Sequence, residues 1–163
     1  MRRSKIFLLL AASVSLLLPA TAAIQVGDRF PDLATAQLVG KLPDHLAGKV
    51  ILVDFWASWC APCARSFPTM DELQKKYGPQ GFAIIAVSVD EHQSDLDHFV
   101  QQHPVTFTVV HDASQKLVAQ TDIATMPGSF LLGRDGRVAF IHRGFSGDET
   151  KKQYISEIET LLK

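Results

Sequence analysis

Cysteine is scarce in this 163-residue chain: there are two, Cys60 and Cys63, and they stand three positions apart. No second pair follows them. None of the six histidines sits at ligand spacing with the two thiols, so the four ligands of a structural zinc are not supplied, and the pair is at most half of such a site. Clustered positive charge is also missing. No run of Lys or Arg interleaved with aromatics occurs, which argues against a partner made of nucleic acid. Beyond the first 22 residues no stretch approaches the roughly 20 apolar residues that a membrane span requires. Internal repeats and low-complexity segments are absent too. What remains is 163 residues, 47% of them hydrophobic, enough for one domain with a substantial core and too few for a second.

The first 22 residues read as an address rather than as fold. Arg2, Arg3 and Lys5 form a positive beginning, Ile6 to Leu18 an apolar run, and Ala20-Thr21-Ala22 a small-residue cleavage site. The expected organisation is a signal peptide over residues 1–22 and one domain over 23–163, an uncleaved anchor being the alternative. With no cysteine closing the apolar run, a lipoprotein is disfavoured. Cleavage would remove three of the 16 basic residues and none of the 17 acidic ones, leaving a net charge of −4. Export would also place the thiols in an oxidising compartment. A dithiol working there as a reductant must be recharged by another protein, here expected to be a membrane thiol-electron donor.

The two cysteines follow the apolar run Val50-Ile51-Leu52-Val53, which reads as a buried central strand, and they open a helix carrying Phe67, Met70, Leu73 and Tyr77 on one face. Two residues spaced i, i+3 in a first helical turn share a face and lie within disulfide reach. The helix N-terminus favours a thiolate at Cys60, so Cys60 is the expected nucleophile. Cys63, one turn further in, is the expected resolving thiol that attacks the mixed disulfide. A purely structural disulfide is the competing reading, although so short a loop removes little chain entropy. Further strands are expected at Phe82–Val89 and Val105–Val110, and helices at Asp95–His103, Gln115–Gln120 and from Gly147 onward. Gly133-Arg134-Asp135-Gly136 should turn a hairpin between Phe130–Leu132 and Val138–Ile141. Strands alternating with helices, then a hairpin and a closing helix, predict an α/β fold: a mixed sheet with helices on both faces. The Gly- and Pro-broken stretch from Val26 to Leu42 suggests a short N-terminal edge hairpin.

The segment Val-Asp-Phe-Trp-Ala-Ser-Trp-Cys-Ala-Pro-Cys, residues 53–63, resembles the active-site segment of the thioredoxin superfamily. Its Ala-Ser between the tryptophans and its exported context resemble the TlpA/ResA-like branch of bacterial thiol-disulfide oxidoreductases. The resemblance implies a thioredoxin-like sheet with a β-α-β insertion from about Asp90 to Val110, a periplasmic location, and no cofactor beyond the redox-active Cys60–Cys63 disulfide. It also implies that Met126-Pro127 is a cis peptide facing the cysteines, with Met126 offering its backbone to an extended client peptide. Trp59 is expected to cover part of Cys60, and Trp56 to form a packed wall.

Asp54 is the one acid inside the apolar strand, where burial is costly without a purpose. It is either a hydrogen-bonded structural acid or the general base that takes the proton from Cys63. Here the chain departs from its branch, which commonly carries a glutamate where Ser66 stands. The strand Phe82–Val89 also lacks the lysine that thioredoxins place nearby, so desolvation should raise the Asp54 pKa. The expected activity is protein-disulfide exchange in the reducing direction, because Ala61-Pro62 offers no side-chain help to a thiolate. A peroxiredoxin-like peroxidase would be expected to need a threonine where Ala57 stands. A copper-binding thiol chaperone would space its cysteines more widely and add a histidine. The expected partner is an exported protein with a disulfide. A cytochrome c apoprotein, a copper-site assembly protein and a general pool of misoxidised proteins fit it equally.

Overall fold

The computed structural model describes residues 23–163, and the expected signal segment lies outside the described residues. Five strands form one sheet in the order β3-β2-β1-β4-β5. They are β1 (Val50–Trp56), β2 (Phe82–Ser88), β3 (Thr108–His111), β4 (Gly128–Leu132) and β5 (Val138–Arg143), with helices α1 (Ala61–Tyr77), α2 (Gln93–Gln102), α3 (Lys116–Thr121) and α4 (Asp148–Leu162). The sheet is mixed, as expected. β1, β2 and β3 are parallel neighbours, while β4 runs antiparallel to both β1 and β5.

Every residue of β1 and of β2 is buried, which is why both read as near-continuous apolar runs rather than as alternating strands. Residues of one parity on β1 face the helices. Trp56 meets Phe67 of α1 and Phe99 of α2, each at a ring-centroid distance of 4.8 Å, and Phe67 in turn meets Phe99 and Phe107. Helix α4 joins α1 on this face through the Tyr77 hydroxyl, which donates to Glu159 at 2.6 Å, and through the Lys151–Glu72 ion pair. On the other parity, Phe55 packs edge-on against Phe130, which also meets Phe30 from the N-terminal segment. Helix α1 continues through Pro68 to Tyr77 and gives way at Gly78 to a short 3-10 turn, Gly78–Gln80.

The N-terminal segment corrects one expectation, because it does not pair with itself as an edge hairpin. Gly27 N–H donates to Val138 O and Val138 N–H to Asp28 O, alongside β5, whereas Val39 exchanges both backbone bonds with His111 on β3. The segment therefore closes both edges of the sheet. A two-stranded hairpin on its own is marginal in water, and the unpaired edges of β5 and β3 offer better partners. The third strand also starts later than expected. Thr106 is held in the preceding loop by Asp71 of α1, whose Oδ1 accepts both its N–H and its hydroxyl at 2.7 Å, so the ladder begins at Thr108. The stretch expected as a β-α-β insertion, from about Asp90 to Val110, holds one helix and one strand, α2 and β3, and β2 precedes it; the β4–β5 hairpin turns at Gly136, whose φ of +76° suits glycine.

Phe67 is the aromatic on which α1, α2 and β1 converge. Phe67→Ala should lower unfolding stability by about 3–5 kcal/mol in a denaturant titration. A loss under about 1 kcal/mol would mean that the helices are not held on β1 through this cluster.

Candidate active site

Strand β1 ends at Trp56 and delivers the chain to a turn, Ala57–Trp59, that is clamped from the side. Ser58 N–H lies 3.0 Å from both carboxylate oxygens of Asp90, and its hydroxyl donates to Oδ1 at 2.7 Å. Ser88 donates its hydroxyl to Asp90 Oδ2 at 2.7 Å, and Asp90 N–H returns a bond to Ser88 Oγ at 3.0 Å. Asp90 is buried, and these bonds replace the water it has lost. Its carbonyl oxygen lies 2.8 Å from His111 Nε2, while His111 Nδ1 lies 2.8 Å from Gln93 Oε1. His111 is thus part of the support for the turn. From sequence Asp90 reads only as a strand end, since the bond spans 32 residues and no local pattern announces it.

Cys60 is the N-cap of α1: its backbone is extended and its Sγ accepts the Cys63 N–H at 3.3 Å. The sulfur occupies the place usually taken by a serine or aspartate oxygen, next to the free N–H groups and the positive end of the helix dipole. Pro62 falls in the first turn, where its missing N–H takes no bond from the helix but leaves one donor fewer around the sulfur. Cys60 and Cys63 are disulfide-bonded with their Cα atoms 5.3 Å apart. Cys63 is 0% exposed and Cys60 5%, so Cys60 is the less enclosed of the two. Trp59, just before it, is 70% exposed, whereas Trp56 is wholly buried in the aromatic cluster. Ser66 is buried, and its hydroxyl donates to the Cys63 carbonyl at 2.8 Å, a helix-internal bond that supplies no acid.

Met126-Pro127 is cis. Gly128 pairs with Phe55, so Pro127 stands at the end of the sheet from which the Cys60 turn leaves β1. A side chain at Gly128 would run into Thr125 O and Ile123 Cγ2, each 2.8 Å from where its Cβ would sit; the loop can pass this close only over glycine. Among the described residues no group of three or more His, Cys, Asp or Glu is placed to hold a metal ion.

Asp54 shares a face of β1 with Trp56, the face covered by α1, whose buried stripe starts at Cys63. It is 1% exposed. Its Oδ1 accepts the Ser129 hydroxyl at 2.5 Å, while Oδ2 has no partner among the described residues. Burial pushes its pKa from 3.8 up to about 7, outweighing the Ser129 bond that pulls the other way. The expected direction is thus met. Ser129 and its neighbour Tyr154, whose hydroxyl lies 2.8 Å from Ser129 Oγ, escape a sequence reading. Only the β1–β4 register sets Ser129 opposite Asp54.

The redoxin family model matches residues 25–162. The chain belongs to the redoxin family. It is 35% identical over 132 residues to the thiol-disulfide oxidoreductase ResA of Bacillus thuringiensis strain Al Hakam, covering 80% of this chain and 75% of that protein. To ResA of Geobacillus thermodenitrificans it is 32% identical over 165 residues, covering 96% and 94%. A crystal structure of a candidate thiol:disulfide interchange protein DsbE from Chlorobium tepidum superposes with a TM-score of 0.80 at 36% identity, covering 86% of this chain and all of that one. This redoxin is a thiol-disulfide oxidoreductase of the thioredoxin-like, ResA-like kind, with the Cys60–Cys63 pair suited to dithiol exchange.

The buried acid sets a stability profile. Between pH 3.8 and about 7 the folded redoxin holds a proton on Asp54 that the unfolded chain has released, so stability falls as pH rises through that window and levels off above it. Asp54→Asn removes the effect. The variant should match the wild type near pH 4 and exceed it by roughly 4 kcal/mol at pH 8. A difference that stays flat between those values in urea unfolding would show that Asp54 titrates as an ordinary carboxylate.

Proposed function

We propose that this chain is an exported, periplasmic reductant of protein disulfides, with Cys60 as nucleophile, Cys63 as resolving thiol and Asp54 as general base. The observation that carries this reading is the seating of Cys60 Sγ at the N-cap of α1 with Cys63 buried behind it. In the reduced protein the Cys60 thiolate attacks one sulfur of a client disulfide, forming a mixed disulfide and expelling the client's other thiolate, which takes up a proton. Asp54 accepts the Cys63 proton, and the Cys63 thiolate then attacks Cys60 Sγ and expels the second client sulfur as a thiolate, which takes up a proton as Asp54 gives up its own. The client gains two electrons and two protons, and the enzyme is left with the Cys60–Cys63 disulfide. A membrane thiol-electron donor would reverse that oxidation.

The client peptide lies extended beside Met126 and Pro127, with Trp59 as the exposed apolar surface next to the nucleophile. The half-buried Met126 and the 70% exposure of Trp59 support this. Export rests on the pattern of the first 22 residues; among the described residues, no helix is long and apolar enough to cross a membrane. The reducing direction rests on the surroundings of Cys60 Sγ. One backbone N–H reaches it, Pro62 removes another, and Ala61 has no polar group to add. A less stabilised thiolate means a lower potential.

Four measurements test the reading. Alkylation of the reduced protein at mildly acidic pH should label Cys60 before Cys63, and Cys63→Ser should accumulate client adducts on Cys60; preferential labelling of Cys63 would reverse the roles. Equilibration with a thiol-disulfide buffer should give a potential nearer −270 mV than −120 mV, about the values of thioredoxin and of a strong oxidant. A value at the oxidant end removes the reductant reading. The rate of mixed-disulfide resolution should rise with pH through about 7, as Asp54 loses the proton that stops it acting as a base. Asp54→Asn should slow that step about 10²-fold or more and abolish the inflection. An unchanged profile returns Asp54 to a structural role.

A further inference from the structure

A buried carboxylate with a pKa near 7 needs something to keep it usable as a base, and among the described residues no Lys or Arg is buried to supply the usual help of a neighbouring cation. What faces Asp54 is neutral from most sides. Ala86 pairs with it on β2, Ser129 on β4, and the buried positions of α1 are Cys63, Ser66, Phe67, Met70, Leu73 and Tyr77. From α4 comes Tyr154, 2% exposed, beside which Glu157 pairs with His142 of β5 at 2.6 Å and the His142 ring packs on Tyr154 at 4.6 Å. The other buried acids on this end of the sheet are Asp90, occupied by Ser58 and Ser88, and Asp112, whose Oδ1 accepts the Ser114 hydroxyl and whose Oδ2 accepts the Val118 N–H.

We infer that Ser129, oriented by Tyr154, is a positioning residue that ties down Asp54 Oδ1 and reserves Oδ2 as the oxygen that takes up and releases the proton. The inference deepens the reading of Asp54 as general base, on which its relevance to exchange rests. Two hydrogen bonds at Ser129 carry this arrangement. Ser129 Oγ sits 2.5 Å from Asp54 Oδ1 and 2.8 Å from the Tyr154 hydroxyl, and these three groups share two bridging protons. With Asp54 ionised, Tyr154 donates to Ser129 and Ser129 donates to Oδ1. A proton placed on Oδ1 would turn the Ser129 proton toward Tyr154, whose own proton has no other acceptor among the described residues. That leaves a buried donor unpaired. A proton on Oδ2 leaves both bonds in place, its own hydroxyl then being the one donor without a partner among the described residues. Burial and the Asp54 charge push the Tyr154 pKa upward, so the tyrosine stays protonated and the donor direction holds across the working range.

The test is the titration of the Asp54 carboxyl carbon, followed by 13C NMR in the oxidised full-length protein. Ser129→Ala removes a hydrogen bond that favours the charged form, so the midpoint should move up by about one to two pH units. Ser129→Thr, which keeps the hydroxyl, should restore it, and Tyr154→Phe should give a smaller upward shift. Should Ser129→Ala fail to accumulate folded, Tyr154→Phe carries the test alone. An Asp54 midpoint unmoved in Tyr154→Phe and in whatever Ser129→Ala folds overturns the inference, as does an equal shift in Ser129→Thr and Ser129→Ala. The pH profile of mixed-disulfide resolution separates this from the base reading. If both hold, the Ser129→Ala profile moves with the carboxyl titration. If the carboxyl titration moves while the kinetic profile ignores both Ser129→Ala and Asp54→Asn, Ser129 positions Asp54 but Asp54 is not the base.

Discussion

Burial of β1 along its whole length is the constraint from which the rest of the molecule follows. Both of its neighbours are hydrogen-bonded to it, one face is covered by α1 and α4, and the other packs against Phe130 and Phe30. A strand held on every side ends at a fixed point, and the redox turn starts there. The bonds from Ser58 to Asp90 carry that fixity across the three residues between Trp56 and Cys60. Two cysteines thereby acquire different environments: one at a helix N-terminus, the other behind it and fully buried.

The same burial creates the tension at Asp54. Removing water from the carboxylate raises its pKa further than one short hydrogen bond lowers it, so the acid sits near neutrality instead of far below. An acid poised there costs stability at neutral pH but can exchange a proton with a thiol in the same range, which an ordinary aspartate could not do efficiently. The fold accepts the cost because the surrounding core is large: the aromatic group of Trp56, Phe67, Phe99 and Phe107 lies on the same sheet face.

Much of the architecture was legible because it is written in short-range patterns. Unbroken apolar runs marked β1 and β2, the i, i+3 cysteines after an apolar strand marked the redox turn, and Asp-Gly marked the β4–β5 hairpin. The N-terminal segment was misread as a hairpin because alternation cut by Gly and Pro says that a stretch is extended and not what it pairs with. Its partners, Val138 and His111, lie on opposite edges of the sheet and are chosen by which edges the remaining strands leave open.

What the sequence alone determined is the chemistry: two thiols at disulfide spacing behind a buried strand, and a lone carboxylate inside it. What only the tertiary structure decided is how those groups are held. Asp90 reaches Ser58 across 32 residues, and Ser129 reaches Asp54 across 75. Strand order and register are set by packing of the whole sheet, and a serine two positions after a proline carries no local sign that it will face a buried acid. Residue type and spacing specify what can react, while long-range registry specifies how each group is held.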